Sequence, residues 1–522
     1  MQYDYIIIGA GSAGCVLANR LTEDGKTTVL LVEAGGPDDK QEVQVPAAFS
    51  KLFKTEADWA YETEPQVHLN GRCLYWPRGK MLGGTSSINA MIYQRGHRHN
   101  YDQWAQMGNE EWSYADVLPY FKKSEHQENG GDTYHGINGP LNVADLRDPN
   151  PLTDAFVQAG IQAGYPRNND FNGANQEGIG YYQVTQKRGR RHSTAVAFLK
   201  PALNRPNLQA KTHAHATRLL FDGKRCTGLN YLHKGQEKTA YAACELILCS
   251  GAINSPQLLL LSGIGPAAHL QEMGIPVVMD LPGVGQNLQD HLLTGVIYEC
   301  KQPISLATAE NLANLAKYLL LGKGMLTSNI AEAGGFIRLD GSQEVPDLQF
   351  HFAPVYYIEH GFQLPDGHGF SIGPTLIQPE SKGYLQLKTA DPLAYPLIQP
   401  NYFEDEADLE VMIEGLKVAR KIANALAFDA YRGDEIRPGP DVQSDDGLRE
   451  YLRDTVETLY HPVGTCKMGV DRMAVVNPQL QVHGIQGLRV VDASIMPSII
   501  NANTNAPTIM IAEKAADMIR AA

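Results

Sequence analysis

The sequence predicts an α/β domain of Rossmann type, assembled from discontinuous segments, joined to an α+β domain built on an antiparallel sheet. Three observations lead there. Residues 5–33 read as strand, glycine turn, helix and strand; segments starting at Glu245 and Leu488 repeat the plan of an apolar strand followed by small residues; and between residues 300 and 445 the texture changes to alternating apolar strands bounded by Pro and Gly. A chain of 522 residues exceeds one ordinary core, so two domains are expected.

The first element is the apolar run Tyr5-Ile-Ile-Ile8, followed by Gly9-Ala-Gly11-Ser12-Ala13-Gly14. A GxGxxG pattern is weak evidence by itself in a chain with 50 glycines. Its context strengthens it. Cys15 to Leu21 continue as a helix, and Val29 to Val32 form a second strand that ends at Glu33-Ala34. A helix N-terminus with free amides holds a pyrophosphate, and an acid at the end of the second strand accepts hydrogen bonds from ribose hydroxyls. The segment therefore reads as an ADP-binding βαβ unit, with NAD and FAD both open. The pairs Gly178/Gly180, Gly263/Gly265 and Gly283/Gly285 lack the third glycine, so one nucleotide must serve.

Further along, Glu245-Leu-Ile-Leu-Cys249 leads through Ser250-Gly251-Ala252 into an apolar helix from Ser255 to about Ser262. Leu488-Arg-Val-Val-Asp492 leads to a final helix expected from about Thr508 to Arg520. Between them, Leu348, Phe350 and Phe352 alternate in a strand, Tyr384 to Lys388 form another, and Asp405 is placed to cap a helix whose Leu409, Met412, Ile413 and Leu416 fall at helical spacing. The expected division assigns 1–155, 205–300 and 450–522 to the nucleotide domain, and 156–204 and 301–449 to the substrate domain.

Composition narrows the function classes. A net charge of −14 repels a phosphate backbone, and the basic residues gather only in short runs such as Lys187 to Arg191, so no nucleic-acid partner is expected. The seven cysteines lack the paired spacing of a zinc or redox site and read as reduced thiols. The N-terminus has no basic region ahead of its apolar run, so a cytoplasmic location is expected. No apolar stretch approaches the ~20 residues that span a bilayer. Any membrane contact is expected to be peripheral, and Tyr318 to Leu326 reads either as simple packing or as a patch for a membrane or quinone.

Trp76-Pro-Arg-Gly-Lys-Met-Leu-Gly83-Gly84-Thr-Ser-Ser87-Ile-Asn89-Ala90-Met91 resembles the flavin-adjacent loop of the glucose-methanol-choline oxidoreductase family. The resemblance continues through Ser250-Gly-Ala-Ile-Asn-Ser-Pro, Pro282 to His291, Tyr460-His461-Pro-Val-Gly, Asp492-Ala-Ser and Asn505-Ala-Pro-Thr508. Within the family it is most similar to quinone-linked aliphatic alcohol dehydrogenases, then to choline dehydrogenases. The resemblance implies bound FAD, held by the N-terminal turn and by Met81, Gly83, Gly84, Ser87, Asn89, Ala90, Met91, Ala216, Ser250, Gly251, Tyr460, Asp492, Ala493, Pro507 and Thr508. Where some relatives carry a flavin-linking histidine this chain has Ile88, so non-covalent FAD is expected.

The same resemblance implies oxidation of a primary alcohol with His461 as general base and Asn505 holding the substrate oxygen, electrons passing to a quinone or dye. A neutral imidazole suits that task near neutral pH. Leu459 matches a position that is a smaller valine in several oxidase relatives, which favours a dehydrogenase over an enzyme using O₂. Glu332, Phe352 and Tyr356, with Phe350 and Tyr357, are the candidate pocket residues, although an ion pair explains Glu332 and sheet packing explains the two phenylalanines equally well. Choline oxidation, alcohol oxidation by O₂, and a lyase or photodecarboxylase on the same fold are the alternatives.

Overall fold

Five parallel strands set the position of everything that follows. In the computed structural model, which describes residues 2–339, 341, 344–363 and 365–521, strand Gln2–Ile8 pairs in parallel with Val29–Val32 on one side and Gln236–Leu248 on the other. Leu208–Lys211 extends one edge, and Leu488–Val490 pairs in parallel with Gln236–Leu248. The register aligns Ile8 with Val32 and Leu248, and Leu248 with Val490. The carboxyl ends of these strands thus lie along one edge, where an α/β sheet presents its ligand crevice. Arg225–His233 and Ala214–Asp222 complete this seven-stranded sheet as an antiparallel extension.

The helices follow from the residues at these edges. Ser12–Leu21 buries Cys15, Val16, Leu17 and Ala18 against the sheet, and Asn505–Ala521, the last helix, packs beside it. Gly251–Leu261 begins four residues earlier than its apolar pattern suggests, because the Gly251 amide donates to the carboxylate of Asp492 (2.8 Å). The last helix begins at Asn505 for a similar reason: Pro507 suits the first turn of a helix, where no amide partner is needed.

The second sheet has eight strands and is antiparallel throughout, in the order Arg432–Arg437, Val296–Cys300, Gly369–Leu376, Leu348–Ala353, Ala333–Ile337, Gly178–Tyr181, with Leu292–Leu293 paired to Gly369–Leu376 and Glu457–Thr458 paired to Leu292–Leu293. The strands at 292–300 and 457–458, which the sequence division places with the nucleotide domain, hydrogen-bond into this second sheet. Both lie where the chain crosses between sheets, and a crossing strand carries no compositional boundary. Helix Glu406–Ala423 covers the outer face with Leu409, Met412, Ile413 and Leu416 buried, and Asp405 caps it by accepting from the Ala407 amide (2.9 Å). Tyr384–Gln386 forms a separate two-stranded ribbon with Leu397–Gln399. All seven cysteines are free.

Candidate active site

At the end of the first strand Gly9 takes φ 100°, and a Cβ there would lie 2.5 Å from the Cys249 carbonyl oxygen. Only glycine lets these two strand ends meet. No side chain caps helix Ser12–Leu21, so its first amides remain available to an anion. The Glu33 carboxylate accepts from the Ala10 and Gly35 amides (both 2.8 Å), while burial pushes its carboxyl up to about 7. Gly84 lies against the same turn: a Cβ on it would sit 2.7 Å from the Gly11 Cα.

A cavity of about 570 Å³ runs from this turn to the second sheet. Gly9, Gly11, Ser12, Ala13, Glu33 and Ala34 line it, together with Gly84, Asn89, Ala90, Met91, Ala216, Ser250 and Gly251 and with Leu459, Tyr460, His461, Asp492, Ala493 and Thr508. A cavity with open helix amides and a buried acid on its wall, and close backbone approach beside them, fits an ADP-bearing cofactor.

Five expected contacts stand behind the wall instead. Gly14 gives room to the turn, since its Cβ would lie 1.9 Å from the Gly9 oxygen. Gly83 takes φ 86° and donates its amide to the Ala10 carbonyl (2.7 Å). Ser87 donates its hydroxyl to the Leu82 carbonyl (2.8 Å), Met81 packs with Phe49, Phe53 and Tyr75, and Pro507 is buried in the last helix. Their visible roles are backbone shape and packing. Asp492 reaches the wall, but its carboxylate is claimed by the Gly251 amide, the Ser255 hydroxyl (2.6 Å) and the Ser494 amide (2.9 Å).

His461 is held from every side. Its amide donates to Asp290 Oδ1 (2.7 Å), and Asp290 Oδ2 accepts from the hydroxyls of Tyr402 and Thr458. The preceding Tyr460 has φ 69°, a strained value for a bulky residue, fixed by its amide donating to Thr458 Oγ1 (2.8 Å) and by Arg78 donating to its carbonyl. The ring sits between His291, Nδ1 to Nδ1 3.0 Å, and the Asn503 amide, whose Nδ2 lies 3.3 Å from Nε2. Asn503 is turned that way because its Oδ1 accepts from Gln349 Nε2 (3.1 Å). Burial first, then His291, His351 and Arg78, hold His461 well below the usual histidine value. The ring is therefore neutral near pH 7. With an amide donor at Nε2, its own proton belongs on Nδ1, facing His291.

The side chain within reach of His461 Nε2 is thus that of Asn503. Asn505 also lines the cavity, but its Oδ1 accepts from the Ser12 hydroxyl (2.6 Å), tying the last helix to the N-terminal turn. The two asparagines, two residues apart, enter the cavity from different points of the turn leading into the last helix.

The substrate wall departs further from expectation. Phe350 and Phe352 point away from the cavity, and Phe352 stacks on Phe156 (centroids 4.8 Å apart). Strand alternation puts His351 and Ala353 on the cavity face instead. His351 Nδ1 lies 3.0 Å from Thr375 Oγ1, and burial lowers its pKa to about 3. Tyr356 donates to the His368 carbonyl (2.8 Å), away from the cavity, while Tyr357 lines it with its hydroxyl 3.0 Å from that of Tyr460. Glu332 lies off the cavity and, among the described residues, has no cationic partner. It accepts from the Asn150 amide (2.8 Å), Thr153 Oγ1 (2.6 Å) and Ser328 Oγ (2.6 Å), which fixes the start of helix Pro151–Gln162. Among the carboxylate residues that do line the cavity are Glu359, Asp454 and Glu457, the last pushed up to about 7 by burial. Periodicity named the right strand, but without an orienting partner it could not choose the face.

Residues 3–293 and 379–512 match the amino- and carboxy-terminal descriptions of GMC oxidoreductase. The chain is 49% identical to an alcohol dehydrogenase [acceptor] of Pseudomonas putida, over 99% of this chain and 96% of that one. It is 50% identical to an oxygen-dependent choline dehydrogenase of Burkholderia multivorans, over 99% and 94%. Among solved structures, a formate oxidase of Aspergillus oryzae, described in terms of its FAD modification, superposes with a TM-score of 0.93 at 29% identity, covering 100% of this chain and 98% of that one.

Proposed function

The chain belongs to the GMC oxidoreductase family, whose members act on alcohols with FAD, and from that premise we propose that it is a dehydrogenase oxidising a primary alcohol to the aldehyde and passing the electrons to a quinone-type acceptor. The observation that carries this reading is the neutral His461 ring with the Asn503 amide 3.3 Å from its Nε2, both on the cavity wall. FAD, when bound, supplies the hydride acceptor.

The chain's own groups manage the proton and the oxygen. His461 Nε2 takes the hydroxyl proton of the alcohol, and Asn503 Nδ2 donates to the oxygen as negative charge grows there. Asp290, Arg78 and the strained Tyr460 backbone keep the imidazole in place, so little reorganisation is needed as the proton moves. The N-terminal end of helix Asn505–Ala521, with Thr508 on the wall, places positive potential beside the cavity. Gly9, Gly11, Glu33 and the open amides of Ser12–Leu21 would hold the ADP half, and Gly84 to Met91 would border the reactive half. Ile88 has no nucleophilic atom, which supports dissociable FAD: after acid precipitation the yellow colour should stay in solution.

Leu459 lines the cavity two residues before His461, which supports exclusion of O₂ and hence a quinone or dye acceptor. A choline reading comes second. It is favoured by the similarity to choline dehydrogenases and by Glu457 on the wall, although Glu332 lies off the cavity. Steady-state turnover with octanol, benzyl alcohol and choline, each assayed with a quinone analogue and with O₂ alone, separates these readings. The proposal expects octanol with the quinone analogue to be the best pair. Choline preferred by a wide margin, or hydrogen peroxide formed one for one with aldehyde, would replace it.

A further inference from the structure

Helix Leu312–Leu321 carries its apolar side outward. Tyr318 is its one buried residue, packing with Leu306, Ala309 and Leu326. At ~100° per residue, Leu312, Ala316 and Leu320 fall on the face opposite Tyr318, with Leu319 beside them. Leu312 is 85% exposed, Leu319 65% and Leu320 82%. A surface helix of a globular protein ordinarily turns its apolar stripe inward, and a contiguous exposed patch of this kind marks a contact surface.

The charge beside the patch identifies its occupant. The turn between strands Gln186–Lys187 and Arg190–Arg191 lies against the end of this helix: a Cβ on Gly189 would be 2.5 Å from the Gly322 carbonyl oxygen. Lys187, Arg188, Arg190 and Lys323 are exposed there, and none forms an ion pair with a carboxylate among the described residues. In a chain of net charge −14, this is a local reversal of sign. Leucines flanked by unpaired cations fit a surface that is apolar inside and anionic at its boundary. A second copy of the chain docking face to face would set these cations against their own kind.

We propose that helix Leu312–Leu321 and the turn at 187–190 form a peripheral docking surface for an anionic phospholipid bilayer. The leucines enter the level of the headgroups and upper acyl chains, and the cations pair with lipid phosphates. Ile330 packs against the cluster that anchors this helix and also lines the active-site cavity. Docking therefore brings one cavity wall close to the bilayer. The docking itself stands on this surface alone; that it delivers a lipid-soluble acceptor rests on the proposed function.

Co-sedimentation of the FAD-loaded protein with phosphatidylcholine vesicles, with and without phosphatidylglycerol, tests this. Two triple variants accompany it: Leu312→Ser, Leu319→Ser and Leu320→Ser, and Lys187→Glu, Arg188→Glu and Arg190→Glu. The wild type is expected to pellet with the phosphatidylglycerol vesicles, less so at high salt. Each triple variant should lower partitioning more than about tenfold while dye-linked turnover of soluble alcohol is unchanged. Wild-type protein left in the supernatant with anionic vesicles, or variants that pellet equally, would overturn the proposal. So would a wild-type dimer abolished by the leucine variant without any vesicle binding. Failure of the alcohol reading would show separately, as absent turnover in all three proteins.

Discussion

The Nδ2 of Asn503 lies 3.3 Å from the Nε2 of His461, whereas Asn505, two residues on, gives its Oδ1 to the Ser12 hydroxyl. The two asparagines therefore have separable duties. Asn503→Ala should lower the rate of anaerobic flavin reduction by about 10²-fold, the scale for losing one donor to a developing oxyanion, with FAD content unchanged. Asn505→Ala should leave that rate within a few-fold and weaken FAD retention, because it unties the last helix from the glycine turn. The reverse pattern, measured by stopped flow and by FAD per chain, would return the oxygen-holding role to Asn505.

The acid limb of kcat/KM follows from the buried imidazole. A general base must be neutral, and burial beside His291, His351 and Arg78 holds His461 well below the ordinary ~6.5. Protonation of His461 itself should therefore not halve activity as pH falls through ~6.5. Asp290 is pushed up to about 6 by burial, so its protonation on the acid side would weaken the acceptor of the His461 amide. A limb near that pH should disappear in Asp290→Asn. A limb at the ordinary histidine value, persisting in Asp290→Asn, contradicts this account.

Gly84→Ala probes the close approach of the two loops. The substitution puts a Cβ 2.7 Å from the Gly11 Cα at a residue with φ 51°. Strain of about 1–3 kcal/mol from the backbone alone should lower the thermal midpoint, and displacement of the glycine turn should strip FAD. Full FAD content at an unchanged midpoint would show that the loops are not in contact.

Leu459→Val should raise hydrogen peroxide formation relative to quinone reduction while leaving anaerobic flavin reduction by alcohol in place. An unchanged ratio of the two acceptors would show that Leu459 does not control oxygen access.

How far the sequence carried depended on the range of the forces involved. The glycine turn, Glu33 and the first helix were legible because a βαβ unit is local, and Asp405 was legible as a cap because its partner lies two residues away. His461 came from a resemblance, not from spacing. The choice between Asn503 and Asn505 depended on Gln349 and Ser12, far away in sequence. Phe352 and His351 occupy adjacent positions on one strand, and the apolar pattern alone favoured the phenylalanine, whose stacking partner is Phe156 on a distant helix. Glu332 looked like a ligand for a cation because two of its three neutral donors, Asn150 and Thr153, come from a segment that only the fold brings to it.

Single-turnover flavin reduction in His461→Ala tests the central claim most directly. FAD-loaded wild type and variant are mixed anaerobically with a primary aliphatic alcohol and flavin absorbance is followed. The account predicts that the wild type bleaches, and that the variant, with equal FAD content, bleaches about 10²- to 10⁴-fold more slowly, the range for loss of general base help. Near-equal rates, or no bleaching of the wild type by any alcohol, would contradict it.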